Sequence, residues 1–154
     1  MKNISMLILA LSVLIFLNSC SDDIHSPADH FAPEGWVFID GTGARFIQIF
    51  QGKFKSGSNE EFIVPLGDDT DHIKIKFFDK NGAEIDPPTS EEYTLSWEIK
   101  DADKIELERH DGEEWEFHLE GLKLGETEIQ FHVYHEGHSD VRSGFIKVKV
   151  EDVD

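Results

Sequence analysis

The residues of this chain best suited to chemistry are its eight histidines. Near the carboxyl-terminal end, His135, His138 and Asp140 place two imidazoles and one carboxylate within six residues. Imidazole nitrogens bind zinc, copper and nickel, and a carboxylate oxygen can complete such a site. The spacing therefore indicates a transition-metal site, with zinc or copper as the expected ion. The alternative is an ordinary polar surface loop, because a lone His-x-x-His pattern is weak evidence.

The elements that position these histidines are predicted to be β-strands. From Gly35 onward apolar and polar residues alternate, and in one such segment Ile73, Ile75 and Phe77 share a face. Alternation with a period of two is typical of half-buried strands, and no segment shows a helical period. Roughly eight short strands separated by turns indicate an antiparallel β-sandwich. The three tryptophans and twelve phenylalanines can fill its core.

A sandwich topology is expected to bring one more histidine to the loop at residues 135–140. The predicted strand that ends at His110 forms a hairpin with the strand that follows it. The sandwich topology is expected to place the tip of that hairpin at the same end as the loop. We therefore expect His110, His135, His138 and Asp140 to form one metal site.

Two other histidines occupy outward-facing positions on predicted strands that are expected to be neighbours. His72 and His118 both alternate with apolar residues, so their imidazoles should face away from the core. We expect His72 and His118 to form a second, weaker metal-binding pair near the opposite end of the same sheet. His132 is predicted to face solvent on the other sheet and to bind nothing.

Composition excludes several classes of function. The net charge of −18 argues against binding nucleic acid through charge and favours the attraction of cations, although acidity can also serve solubility alone. The single cysteine excludes a disulfide within the chain. Asp68, Asp69 and Asp71 indicate an acidic turn, because their spacing does not match an EF-hand calcium loop. No Gly-x-Ser-x-Gly pattern or glycine-rich phosphate loop occurs, so we expect no enzymatic activity.

The amino terminus has the features of an export signal. An apolar run at residues 6–16 follows Lys2 and precedes the sequence Leu17-Asn18-Ser19-Cys20. The run is shorter than the ~20 residues that a spanning helix needs. The four residues that follow it resemble the lipobox of bacterial lipoprotein signal peptides. The resemblance implies that residues 1–19 are removed and that Cys20 carries a lipid anchor.

Residues 20–34 are predicted to be a flexible acidic tether, because they are polar, lack periodicity and contain Pro27 and Pro33. Within them Ser21-Asp22-Asp23 resembles the acidic export signal of Bacteroidetes-type lipoproteins. That resemblance implies a bacterial outer-membrane lipoprotein displayed at the cell surface. The alternative is an ordinary linker on a protein that faces the periplasm. Residues 35–154 are then the folded domain.

The segment from Gly121 to Ile129 resembles the strand crossover of bacterial Ig-like domains, the kind found in invasins and intimins. Its Gly-Leu-x-x-Gly-x-Thr-x-Ile pattern combines two glycines, which permit a tight crossover, with β-branched residues that favour a new strand. The resemblance implies an Ig-like β-sandwich of about seven to eight antiparallel strands. Segments 117–122 and 135–140 are also similar to those of small exported Ig-like proteins, a likeness that supports the fold and names no function.

These observations together predict a surface lipoprotein that acts as a non-catalytic binding module. Its histidines are expected to bind a transition metal, and its lipid anchor to hold it beside an outer-membrane uptake system. The alternative is an adhesion or scaffold module that presents its loops to an outer-membrane protein or a glycan.

Overall fold

The computed structural model describes residues 30–152, which form eleven β-strands and no helix. The expected all-β sandwich is confirmed. Cys20, the predicted signal peptide and most of the predicted tether lie outside the described residues. Within residues 30–152, no helix has the length and apolar character needed to cross a membrane. The strands, in chain order, are β1 (Gly35–Ile39), β2 (Arg45–Phe50), β3 (Lys53–Phe54), β4 (Glu61–Pro65), β5 (Ile73–Phe78), β6 (Glu84–Ile85), β7 (Tyr93–Ile99), β8 (Ile105–Glu108), β9 (Glu116–Gly121), β10 (Gly125–His135) and β11 (His138–Glu151).

These strands form two sheets. The first has the order β3-β2-β1-β5-β9-β8, with β6 also paired to β5, and the second has the order β4-β11-β10-β7. Among the strand pairs of the described chain, β4 and β11 run parallel and the others are antiparallel. The strands β3 and β6 were not predicted, because two residues are too few to show an alternating pattern.

Aromatic rings fill the space between the two sheets. The ring centroid of Phe131, in the second sheet, lies 4.9 Å from that of Phe117 and 5.2 Å from that of Phe38, both in the first sheet. All three side chains are fully buried. Burial of each ring contributes about 1.5–3 kcal/mol, and each favourable ring pair adds about 0.5–1.5 kcal/mol. Aromatic packing therefore holds the sheets together without a disulfide.

The chain immediately before β1 packs against the sandwich. The ring of Phe31 lies 4.9 Å from Phe77 and 6.3 Å from Tyr93 and is partly buried against the core. Residues 30–34 were predicted to belong to the flexible tether. Their packing extends the folded domain upstream of Gly35, where the alternating pattern begins.

The crossover between the sheets begins at Gly121, the last residue of β9. Its carbonyl oxygen accepts a hydrogen bond of 2.7 Å from the Gly67 amide. A Cβ atom at Gly121 would lie 2.1 Å from the Pro65 carbonyl oxygen and 3.0 Å from Cγ1 of Val150. The backbone of Pro65, at the end of β4, therefore lies too close to Gly121 for any side chain to fit there.

Substitution of this glycine tests the close approach. We expect Gly121→Ala to lower the free energy of unfolding by about 3 kcal/mol, the upper part of the range for overpacking, because the Pro65 carbonyl must move. Gly112→Ala is the matched control, since Gly112 has a φ of +86° and no atom within 4 Å. Gly112→Ala should lower the free energy of unfolding by only about 1 kcal/mol, because the alanine is strained at a positive φ but meets no other atom. Urea denaturation measures both, and equal destabilisation would contradict the steric explanation.

Candidate metal centres

The first histidine group forms around the hairpin between β10 and β11. His135 ends β10, His138 begins β11, and the two residues pair across the turn. The turn residues Glu136 and Gly137 have φ angles of 46° and 85°, the left-handed conformation of a two-residue type I′ hairpin turn. This tight turn fixes both histidines on strand backbone at one end of the sandwich.

Asp140 reaches the same region because β11 is irregular. Tyr134 pairs with Ser139 and Val133 pairs with Val141, so Asp140 is the extra residue of a β-bulge. A bulge bends its strand and redirects the side chain of the extra residue. As a result the side chain of Asp140 is only 3% exposed.

Three imidazoles surround the carboxylate of Asp140. Its Oδ1 lies 3.0 Å from His138 Nε2 and 3.2 Å from His30 Nδ1, and its Oδ2 lies 3.5 Å from His135 Nδ1. A tetrahedral zinc ion with ligands about 2.1 Å away separates those ligands by about 3.4 Å. One ligand atom from each of the four residues lies within 4.8 Å of the others. Their spacing and their chemistry therefore suit a four-coordinate transition metal.

Two buried atoms of this group make no hydrogen bond. His135 is 5% exposed, and its ring stacks on Tyr93 with centroids 4.2 Å apart and planes 11° apart. His135 Nδ1 and Asp140 Oδ2 face each other at 3.5 Å, yet neither has a hydrogen-bond partner. Buried polar atoms are nearly always satisfied, so such a pair indicates a position for an ion or a water. A divalent metal coordinated by both atoms would satisfy them.

His30 supplies the third imidazole from the segment that precedes β1. Its ring centroid lies 5.8 Å from that of His135 and 5.5 Å from that of His138. The adjacent Phe31 is packed against the core and holds this segment beside the hairpin. The sequence did not single out His30, which lies 110 residues before Asp140. The available signal was Phe31, an apolar residue in an otherwise polar stretch.

The second histidine group lies on the outer face of the first sheet. β5 and β9 pair with Ile73 opposite Phe117, so His72 and His118 are neighbours, as their strand parity predicted. Their ring centroids are 3.9 Å apart. The His110 ring lies 5.1 Å from His118 and 5.6 Å from His72. Three imidazoles therefore converge where the sequence suggested a pair.

This placement of His110 corrects the prediction from sequence, which put His110 in one site with the residues of the β10–β11 hairpin. The register of the β8–β9 hairpin explains the difference. Glu108 pairs with His118, and His110 is only two residues beyond Glu108. The chain at His110 consequently stays close to His118.

His132, which faces away from the core on β10, belongs to neither group. It is half-buried, although the sequence predicted a solvent-facing residue. Desolvation by burial lowers the pKa of His132, and the positive charge of Arg142, its partner on β11, lowers this pKa further. The folded protein therefore favours neutral imidazole at this position.

The lowered pKa of His132 predicts a contribution to acid sensitivity. As pH falls below about 6.5, the unfolded chain binds a proton at His132 before the folded chain does, so stability is lost. His132→Gln should remove this loss and make the protein less sensitive to acid. Urea denaturation in a metal chelator at about pH 7.5 and about pH 5 measures the effect. The same loss of stability in both proteins would contradict a lowered pKa.

Comparison with protein-family models and with curated proteins finds no match to this chain. The class that the fold and the side-chain geometry define is an all-β sandwich with histidine-rich groups able to hold a metal ion. The function is accordingly inferred from those groups.

Proposed function

We propose that this protein is a lipid-anchored, non-catalytic module that binds a transition metal ion, zinc or copper, through His30, His135, His138 and Asp140. The observation that carries the proposal is the burial of the Asp140 carboxylate among three imidazoles. A buried carboxylate needs hydrogen-bond donors or a nearby positive charge to offset the loss of hydration, and Oδ2 of Asp140 has no hydrogen-bond partner. A divalent ion held by neutral imidazoles supplies that charge.

The lipid anchor implied at Cys20 would keep this site close to a membrane. The ligand His30 follows Cys20 by ten residues, which reach at most about 35 Å when fully extended. The net charge of −18 also raises the local concentration of cations around the domain. A metal site where the tether joins the domain suits transfer of the ion to an outer-membrane uptake system, which is the partner that we propose.

A second candidate function is adhesion to a protein or a glycan, which one surface cleft favours. The cleft has a volume of about 680 Å³, and Pro87, Pro88, Tyr93 and Trp115 are among its lining residues. Prolines and aromatic rings offer apolar faces against which sugar rings or peptide side chains can pack. The cleft is open and carries no charge arrangement as specific as the Asp140 group, so adhesion ranks second.

Isothermal titration calorimetry of the tag-free protein, purified after expression of the full-length chain, tests metal binding. We expect a Kd of about 1 μM or below for at least one of zinc, copper and nickel. His135→Ala combined with His138→Ala should remove one tightly bound metal per chain, because two of four ligands are lost. His132→Gln, a change outside the group, is the matched control and should leave the stoichiometry unaltered.

The pH dependence of the same titration tests the ligand type. Protons compete with the metal for imidazole nitrogens, so affinity should fall between about pH 7.5 and about pH 5.5. A double variant that binds as much metal as the unaltered protein, with equal affinity, would contradict the proposal and favour adhesion. Affinity that does not change with pH would argue against histidine ligands.

Removal of His30 tests whether the segment before β1 completes the site. His30→Ala should weaken metal binding by at least about tenfold. Removing a residue that only hydrogen-bonds to a metal ligand already lowers metal affinity about tenfold or more, and His30 is proposed to be a ligand itself. It should lower the thermal stability of the metal-free protein less than Phe31→Ala does, because it removes a hydrogen bond to Asp140 but no apolar side chain packed against the core. Phe31→Ala, which loosens the same segment, should weaken both metal binding and stability. Unaltered affinity in His30→Ala would show that the hairpin residues bind the ion alone.

A further inference from the structure

The group formed by His72, His110 and His118 has the features of a separate metal site. One ligand atom from each of the three residues lies within 4.8 Å of the other two. The group shares no residue with the group around Asp140. An ion bound here would therefore be bound independently of the first site.

His118 is oriented as a metal ligand. Its Nδ1 lies 2.9 Å from the carbonyl oxygen of Thr70, which can only accept, so Nδ1 carries the proton and donates it. Nε2 then presents a lone pair, and this atom is buried without a hydrogen-bond partner. Histidines that bind metals usually donate their second nitrogen to a carbonyl or carboxylate in this way, which fixes the tautomer and the ring.

His72 is oriented by two carboxylates on its other side. Its Nδ1 lies 3.5 Å from Glu113 Oε2 and 3.8 Å from Glu116 Oε2. Glu116 is itself held by Lys74, whose Nζ lies 2.8 Å from Oε1. The negative charges of the two glutamates favour a proton on Nδ1. The lone pair of His72 is thereby left on Nε2.

We propose that His72, His110 and His118 bind a second transition metal ion through their imidazole nitrogens. Three histidines occupy three positions of a tetrahedral ion and leave the fourth for water or a small anion. Glu113 and Glu116 act as positioning residues through their negative charge, which favours a proton on the Nδ1 of His72, although Glu113 Oε2 itself makes no hydrogen bond.

The second site contains no carboxylate as deeply buried as that of Asp140. Each group has an exposed histidine, His138 in the first and His110 in the second, but only the first includes side chains as buried as those of His135 and Asp140, which are 6% and 3% exposed. A metal ion at the second site would not neutralise a deeply buried carboxylate, so its binding would gain less free energy there. The second ion should consequently bind more weakly than the first.

Zinc titration of the His135→Ala/His138→Ala variant isolates the second site, since the first then lacks two ligands. Calorimetry should detect one remaining zinc ion per chain. Adding His110→Ala should weaken this binding by at least about tenfold. His110 is exposed outside the strands, so circular dichroism should show an intact sandwich. His132→Gln in the same background is the matched control and should bind zinc as its parent does.

Nuclear magnetic resonance of the histidine ring nitrogens identifies the ligands. Zinc should shift the Nε2 resonances of His72 and His118 in the double variant, while Nδ1 of His118 keeps its proton. No zinc bound by the double variant, with one bound by the unaltered protein, would overturn the second site and leave the first standing. One zinc bound by both would support the second site and contradict the first. Residual binding that survives His110→Ala unchanged would also overturn the proposal.

Discussion

The Asp140 carboxylate, buried in the β10–β11 hairpin, is the constraint on which this end of the sandwich depends. A charge removed from water costs several kcal/mol unless nearby groups replace its hydration. Three separate features bring such groups together. The bulge turns Asp140 inward, the Tyr93 ring holds His135, and Phe31 anchors the segment that carries His30.

The aromatic core gives both histidine groups a rigid support. Phe131 packs against rings of the opposite sheet and links β10, which ends at the first group, to β9, which carries part of the second. Strand pairing fixes three members of the first group in the β10–β11 hairpin and His118 of the second group beside β5, whereas His30 and His110 lie outside the strands. Side chains held on paired strands would lose little conformational entropy on binding an ion.

Alternation of apolar and polar residues predicted the longer strands, because a half-buried strand shows its period over five or more residues. The period is lost in the first half of β11, which begins at His138, because two irregularities in its pairing with β10 interrupt the pattern. Asp140 was found because it lies in the same short hairpin as the histidines. His30 was missed because its contact with Asp140 spans 110 residues and has no signal in the local sequence. His110 was misplaced because the register of the β8–β9 hairpin cannot be determined from the alternating pattern.

The most direct test is X-ray diffraction from zinc-soaked crystals, recorded at the zinc absorption edge. We predict an anomalous peak about 2.0–2.2 Å from one nitrogen each of His30, His135 and His138 and from an oxygen of Asp140. Absence of a peak between these four residues, with their side chains placed as described, would contradict the claim that Asp140 is buried in order to bind a metal.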